Sequence, residues 1–238
     1  MSLRHIFFDL DKTLWNHRAN LAHAIEELHR QFYNELGHVP KEIFLAAFTE
    51  ANERLWKLFS QGRITGPHLR FLRFRICLQN VGLPSNNLAR RLSRTFLDIA
   101  PQGSLLEEGA RETLQSLHSR YCLHIITNGF EITQRTKLRS SGIHHLFTTI
   151  TTSERSGYRK PDPRIFRYAL RRAGALASQA AFIGDDLEID ILPAVRMGFH
   201  TFWYNPSGLP GPSSRDFQNL QLLRSLPELP TLLEKISF

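Results

Sequence analysis

Four short apolar runs, at 5–8, 123–126, 180–183 and 201–204, constrain the fold of this chain more than any other feature of it. They are rich in aliphatic and aromatic side chains, and none shows the in-out polar alternation of a strand with one wet face. Strands that are apolar on both faces belong in a parallel sheet covered on both sides. The segments between them read as helices with legible ends. Asp162-Pro163 supplies an N-cap followed by proline at the first helical position, and Gly174 closes that helix. Gly142 closes another that begins at Glu131. Strand alternating with helix predicts an α/β fold with a doubly wound parallel sheet.

Residues 16–100 follow a different pattern. Leu21, Ala24, Ile25, Leu28 and Phe32 recur at the spacing of one helix face until Gly37 and Pro40 break it. Further helical patterns cover 41–60, 67–81 and 85–99, separated by Gly62, Gly66, Gly82 and Pro84. The expected organisation is therefore an α/β core formed by 1–15 and 101–238, with an all-helical domain inserted at 16–100. The tail after Pro206, rich in proline, glycine and serine, reads as a loop leading to a short peripheral helix.

A chain of 238 residues can bury one substantial core with an insertion, and 42% hydrophobic against 22% charged residues excludes a disordered chain. No apolar run approaches the ~20 residues that cross a bilayer, and the N-terminal run is too short for a secretory signal. Cys77 and Cys122 have no metal-ligand spacing and read as small, reduced core residues, which fits a cytoplasmic protein. The net charge of +8 comes from scattered basic residues. The densest stretch, at 70–75, alternates arginine with phenylalanine and leucine and reads as an amphipathic helix with a solvated face. The charge is thus expected to attract small phosphorylated metabolites, without a nucleic-acid surface or a membrane contact.

Polar clusters follow three of the apolar runs. Asp9-Leu10-Asp11-Lys12-Thr13 comes directly after the first. Ligands bind beyond the carboxyl ends of the strands in an open parallel sheet, where two carboxylates one residue apart concentrate charge that a hard cation relieves; Mg2+ fits best. Thr127-Asn128-Gly129 follows the second run and offers hydroxyl, amide and backbone donors to a phosphate. Gly184-Asp185-Asp186, with Glu188 and Asp190 beyond, gathers acids at a third strand end. Lys160 precedes the proline-started helix and could neutralise a phosphoryl group. Each cluster has a plain alternative as a helix cap or a solvated loop. Together they supply a nucleophile, an acid/base, a cation site and phosphate donors, the parts a phosphoryl-transfer site requires.

The stretches FFDLDKTLW (7–15), IITNG (125–129), RKPDP (159–163) and FIGDDLEIDI (182–191) resemble, in order, the four motifs of the haloacid dehalogenase-like (HAD) superfamily of hydrolases. The inserted helices resemble that family's small cap. Within the family, LW at 55–56 through GRIT at 62–65, with TNGF, is similar to the pyrimidine 5′-nucleotidase branch and to a related sugar-phosphate phosphatase. The resemblance implies that Asp9 attacks phosphorus to form an aspartyl-phosphate and that Asp11 is the general acid and base. It further implies that Lys160 neutralises charge, and that Mg2+ is held by Asp9, Asp185, Asp190 and the Asp11 carbonyl. Thr13, Thr127, Asn128 and Gly129 are the expected phosphate contacts, with Arg63 in the cap, beside Gln61 and Phe59, reaching the leaving group. Asp186 is a weaker ligand candidate. The expected substrate is a nucleoside monophosphate, with a sugar phosphate or phosphoglycolate as the alternative. A dehalogenase does not use a second carboxylate at position 11, and an inactive binding module would not need all four clusters intact.

Overall fold

The computed structural model describes residues 2–211 and 219–236. The chain forms two compact units, one of residues 1–17 and 104–238 and one of residues 18–103. No described helix is long and apolar enough to cross a membrane.

The first unit is built on six strands, β1 (His5–Phe8), β2 (Cys122–Thr127), β3 (Thr149–Thr152), β4 (Ala180–Gly184), β5 (His200–Tyr204) and β6 (Leu220–Leu223). All pair in parallel, in the order β3-β2-β1-β4-β5-β6. The period of two along β1 explains why it needs cover on both sides. Ile6 and Phe8 enter one cluster with Leu114, Leu117 and Leu138, while Phe7 enters the other with Phe166, Phe182 and Phe199. The first cluster is lined by helices Ala110–His118 and Glu131–Ser140, the second by Pro163–Ala173. This is the doubly wound α/β sheet expected from the apolar runs.

Two strands were not legible in those runs. In β3 all four residues are buried, but three are threonines, whose hydroxyls hide a β-branched strand in a polar reading. β6 lies within the expected tail loop; residues 212–218 of that tail lie outside the described residues. Cys122 opens β2 and is exposed, so it is not a core residue, whereas Cys77 is buried. The expected stops hold: Asp162 accepts a hydrogen bond from Arg164 N, and Gly174 and Gly142 adopt left-handed φ angles of 63° and 68°.

In the second unit, helices Lys41–Ser60, Gly66–Asn80 and Asn86–Ile99 pack Phe48, Phe74 and Phe96 with ring centroids 4.8–5.4 Å apart. Ser85 caps the last helix through Leu88 N at 3.2 Å. The solvated arginine face expected at 70–75 is wrong at Arg73, which is buried. Its guanidinium lies 4.4 Å from the Phe96 centroid and donates to Asn52 Oδ1 at 3.4 Å. Burial, aided by Arg70, pushes it down to about 9.

His124 sits inside the sheet, stacked on Phe7 at 4.5 Å, with Nδ1 2.9 Å from Thr149 Oγ1 and Nε2 3.1 Å from His5 Nδ1. Burial and the neighbouring His5 push this imidazole down to about 3. The unfolded chain takes up that proton below pH ~6.5 while the folded one refuses it, so stability drains away as pH falls through this window. The expected outcome is a lower Tm at pH ~5 than at pH ~7.5, with His124→Gln less stable at the higher pH but recovering part of that difference. A pH shift identical in the variant would contradict this account of His124.

Candidate active site

β1 and β4 are adjacent where the chain changes direction across the sheet, so their carboxyl ends flank a crevice. Asp9 follows β1 and is anchored by donating its N–H to Ile183 O at 2.9 Å. The loop beyond it is tight. Leu14 and Trp15 both donate to Leu10 O at 3.0 and 2.8 Å, Lys12 donates to Trp15 O at 2.9 Å, and Lys12 itself takes φ 65°. A lysine in this left-handed region is uncommon, and here the backbone bonds on both sides hold it there. The turn brings Thr13, fully buried, back to donate to Asp185 Oδ1 at 3.3 Å. The backbone of Asp185 is fixed in turn by Trp203 of β5, whose indole N–H donates to Asp185 O at 3.0 Å.

Asp190 reaches the same place by an unusual route. The chain after β4 winds as a widened π turn, Leu187–Ile191, in which Ile191 N bonds to Asp186 O five residues back at 3.2 Å. Asp186 caps this turn, accepting from Glu188 N and Ile189 N at 3.0 and 2.9 Å. That explains its acidity without a ligand role. The packing leaves no room beside Asp190: a Cβ on Gly184 would lie 2.5 Å from Asp190 Oδ2.

Lys160 joins the pieces. Only 3% exposed, its Nζ lies 2.7 Å from Asp9 Oδ1 and 2.5 Å from Asp190 Oδ1. Asn128 aligns it from the backbone side, accepting from Lys160 N at 2.8 Å and donating to Lys160 O at 2.9 Å. The side chain of Asn128 is therefore a clamp on the lysine loop. Burial disfavours the ammonium, yet Asp190 and Asp9 outweigh it and hold the charge firmly.

Asp9, Asp185 and Asp190 each offer a carboxylate oxygen, and these atoms lie within 4.8 Å of one another. Burial is the largest cause pushing all three carboxyls up; repulsion adds to it, from Asp11 at Asp9 and from Asp9 at both Asp185 and Asp190, taking Asp185 to about 7. Three clustered acids against one lysine leave uncompensated negative charge in a buried place, and oxygen donors suit a small, hard cation such as Mg2+. The residues present therefore fit the metal expected from the sequence.

Asp11 is held apart from that trio. Lys137 Nζ lies 2.5 Å from its Oδ1, and Gln134 Nε2 donates to Oδ2 at 2.8 Å and to Thr127 Oγ1 at 2.7 Å. Lys137 also lies 4.0 Å from the Trp15 ring centroid. Burial pushes the Asp11 carboxyl up, but Lys137, His17 and the two hydrogen bonds overcome it and set it below its ordinary value. His17 is itself driven down to about 4, chiefly by burial. Gln134 explains Gly129 as well, because a Cβ there would lie 2.1 Å from Gln134 Nε2. Neither Gln134 nor Lys137 was picked out from the sequence. Their signal was the three-residue spacing that puts both on one face of the helix following Thr127-Asn128-Gly129. Arg63 lies in the helical unit, exposed in the turn after Lys41–Ser60, its N–H bonded to Leu58 O at 2.9 Å.

Residues 3–198 match the family described as haloacid dehalogenase-like hydrolase. The chain belongs to this family of hydrolases. The HAD-hydrolase YfnB of Bacillus subtilis is 31% identical over 87% of this chain and 86% of its own length. Its magnesium-bound crystal structure superposes with a TM-score of 0.84 at 28% identity, covering 98% of this chain and all of that one. The pyrimidine 5′-nucleotidase YjjG of Escherichia coli is 29% identical over 84% of this chain and 85% of its own. The ribulose-1,5-bisphosphate 5-phosphatase of Halopiger xanaduensis is 31% identical over 85% and 84%.

In this HAD-like hydrolase the excess charge at Asp185 gives a test with opposite signs. Without divalent metal, Asp185→Asn removes a repelling charge and is expected to raise Tm by a few degrees, the effect of about 1 kcal/mol in a chain of this size. With excess Mg2+ the order reverses, because the wild type gains binding free energy that the variant lacks. Thermal melts in EDTA and in Mg2+ check both signs; a variant less stable in EDTA would contradict the charge account.

Proposed function

We propose that this protein is a Mg2+-dependent phosphomonoester hydrolase that works through an aspartyl-phosphate on Asp9. The observation that carries the reading is the buried pairing of Lys160 with both Asp9 and Asp190, beside a carboxylate two residues further along the chain. Lys160 binds Asp9 Oδ1 and so leaves Oδ2 as the attacking atom. Asp9, Asp185, Asp190 and the Asp11 carbonyl would hold Mg2+, which would supply positive charge to offset repulsion between an anionic nucleophile and an anionic phosphoryl group.

Asp9 Oδ2 forms a bond to phosphorus as the bond to the leaving oxygen breaks, and Asp11 delivers the proton that makes this oxygen an alcohol. Water then attacks the aspartyl-phosphate, Asp11 takes its proton, and inorganic phosphate departs with Asp9 restored. Lys137 and Gln134 hold Asp11 ionised at rest, so it takes up the proton it delivers only after leaving them, and their contacts define the orientation from which it moves. The Thr127 hydroxyl and the backbone N–H of Asn128 bind phosphoryl oxygens, the Gly129 N–H leaves Thr127 Oγ1, 3.2 Å away at rest, to join them, and Thr13 steadies Asp185.

The substrate class we favour is the nucleoside monophosphates. Support comes from the likeness of residues 55–65 to the nucleotidase branch and from the relatedness to YjjG. In this reading residues 18–103 act as the cap and Arg63 recognises the leaving group. The sugar bisphosphate named for the Halopiger relative keeps a sugar-phosphate substrate as the second reading.

A panel of phosphorylated metabolites, assayed with Mg2+ and with EDTA, tests the proposal. Metal-dependent phosphate release highest on nucleoside monophosphates is expected, with Asp9→Asn reduced to the uncatalysed background. Arg63→Ala is expected to raise KM for nucleotides while leaving hydrolysis of a small aryl phosphate unchanged. Preference for sugar phosphates would move the substrate to the second reading, and an active Asp9→Asn would remove the nucleophile.

A further inference from the structure

The α/β unit carries a groove of about 670 Å³ at the helix Pro163–Ala173, lined by Tyr158, Arg164, Arg167, Leu170, Arg171 and Leu176 among others. The three arginines recur at intervals of three and four residues, so they line one face of the helix over about 10 Å. All three are exposed. Among the described residues, the only carboxylate paired with any of them is Asp162, 2.6 Å from Arg164 Nη2. No acidic residue lines the groove itself, and two guanidinium charges are left over. The rest of the wall is apolar: Leu170 is buried at its floor, and Leu176 stands 58% exposed at its rim. Tyr158 presents an aromatic ring, with the Arg164 guanidinium 4.3 Å from its centroid.

We infer that this groove is a binding site for a nucleoside polyphosphate, separate from the catalytic crevice. The groove is open to solvent, and its volume leaves room for a ligand of that size. A row of arginines with planar, multiply donating heads suits successive phosphate groups better than a single one. The stacked Tyr158–Arg164 pair and the two leucines provide a flat, partly apolar platform for a base. An acidic peptide would satisfy the charges but leave the aromatic platform unused. The inference does not depend on the phosphatase reading, since none of these six residues belongs to the catalytic machinery.

The groove also has a route to that machinery. Tyr158 lies two residues before Lys160 in the chain, and Arg164, two residues after the loop's Asp162, is clamped to it, with Nη2 2.6 Å from Oδ2 and Nε 3.0 Å from Oδ1. A phosphate that draws the Arg164 guanidinium away from Asp162 changes the contacts of the carboxylate that caps the helix following the Lys160 loop, through Arg164 N to Oδ1 at 2.9 Å.

The experiment is equilibrium dialysis of labelled ATP against the full chain in EDTA, where metal-dependent turnover is switched off. Saturable binding is expected. Arg167→Ala combined with Arg171→Ala should weaken it by about tenfold or more, since two charge-assisted contacts are lost. Both positions are exposed, and an unchanged melting curve confirms that the double variant is folded. Asp185→Asn should leave the affinity unchanged, while adenosine and pyrophosphate should each compete more weakly than ATP. Three results would overturn the inference: no saturable binding, binding that survives the double substitution, or an affinity that Asp185→Asn changes in either direction. Pyrophosphate competing as well as ATP would overturn the platform for the base.

Discussion

The Lys160 ammonium is the tie on which the site depends. It is buried between a carboxylate at the end of β1 and another on the π turn after β4, so it joins two strand ends that the sheet sets side by side. Two buried acids without a counter-charge would be untenable, and removing one partner from such a group costs about 3–5 kcal/mol. The lysine also needs to be aimed, and Asn128 does this by gripping its backbone on both sides. One side chain after β2 thereby sets the position of a charge that acts on β1 and β4. A lysine on a freely moving loop would bring the same charge without the geometry.

The rest of the α/β unit positions that tie. Phe7, Phe166, Phe182 and Phe199 fill the layer on one side of the central strands, and Ile6, Phe8 and Leu138 belong to the layer on the other. The central strands therefore have few ways to shift relative to one another, and their ends inherit that rigidity. The acids of the candidate site divide into two groups. Asp9, Asp185 and Asp190 crowd together with raised carboxyl pKa values, and Asp11 is drawn to Lys137 and Gln134 with a lowered one. The split separates a crowded trio, whose charge a cation would relieve, from a single carboxylate that Lys137 and Gln134 hold ionised.

What the sequence disclosed follows from the physics of each element. Apolar runs that need cover on both faces gave four strands, and proline and glycine punctuation gave the helix ends at Asp162, Gly174 and Gly142. β3 was missed because threonine can be buried through its methyl group while its hydroxyl finds a partner, as Thr152 does on Glu131 at 2.5 Å. Arg73 was misread because the solvated-face rule ignores the attraction of a guanidinium to ring faces, and three phenylalanines surround it. The acids were legible because they follow strands, where topology makes side chains converge, and Lys160 because it precedes the proline that starts a helix. Gln134 and Lys137 were not, because a helix residue reveals its partner only after the helix is docked. Asp186 stood as a weaker ligand candidate, and the π turn showed that its Oδ1 accepts from two backbone N–H groups.

The central claim concerns one covalent bond, from a side-chain oxygen at position 9 to phosphorus. Borohydride reduces an acyl phosphate but leaves a free carboxylate alone, so quenching a steady-state reaction with it and mapping the chain by mass spectrometry reads the bond directly. The account predicts that Asp9 is converted to homoserine when substrate and Mg2+ are both present, and remains aspartate when either is left out. Reduction at another aspartate, or an unmodified Asp9 during active turnover, would contradict it.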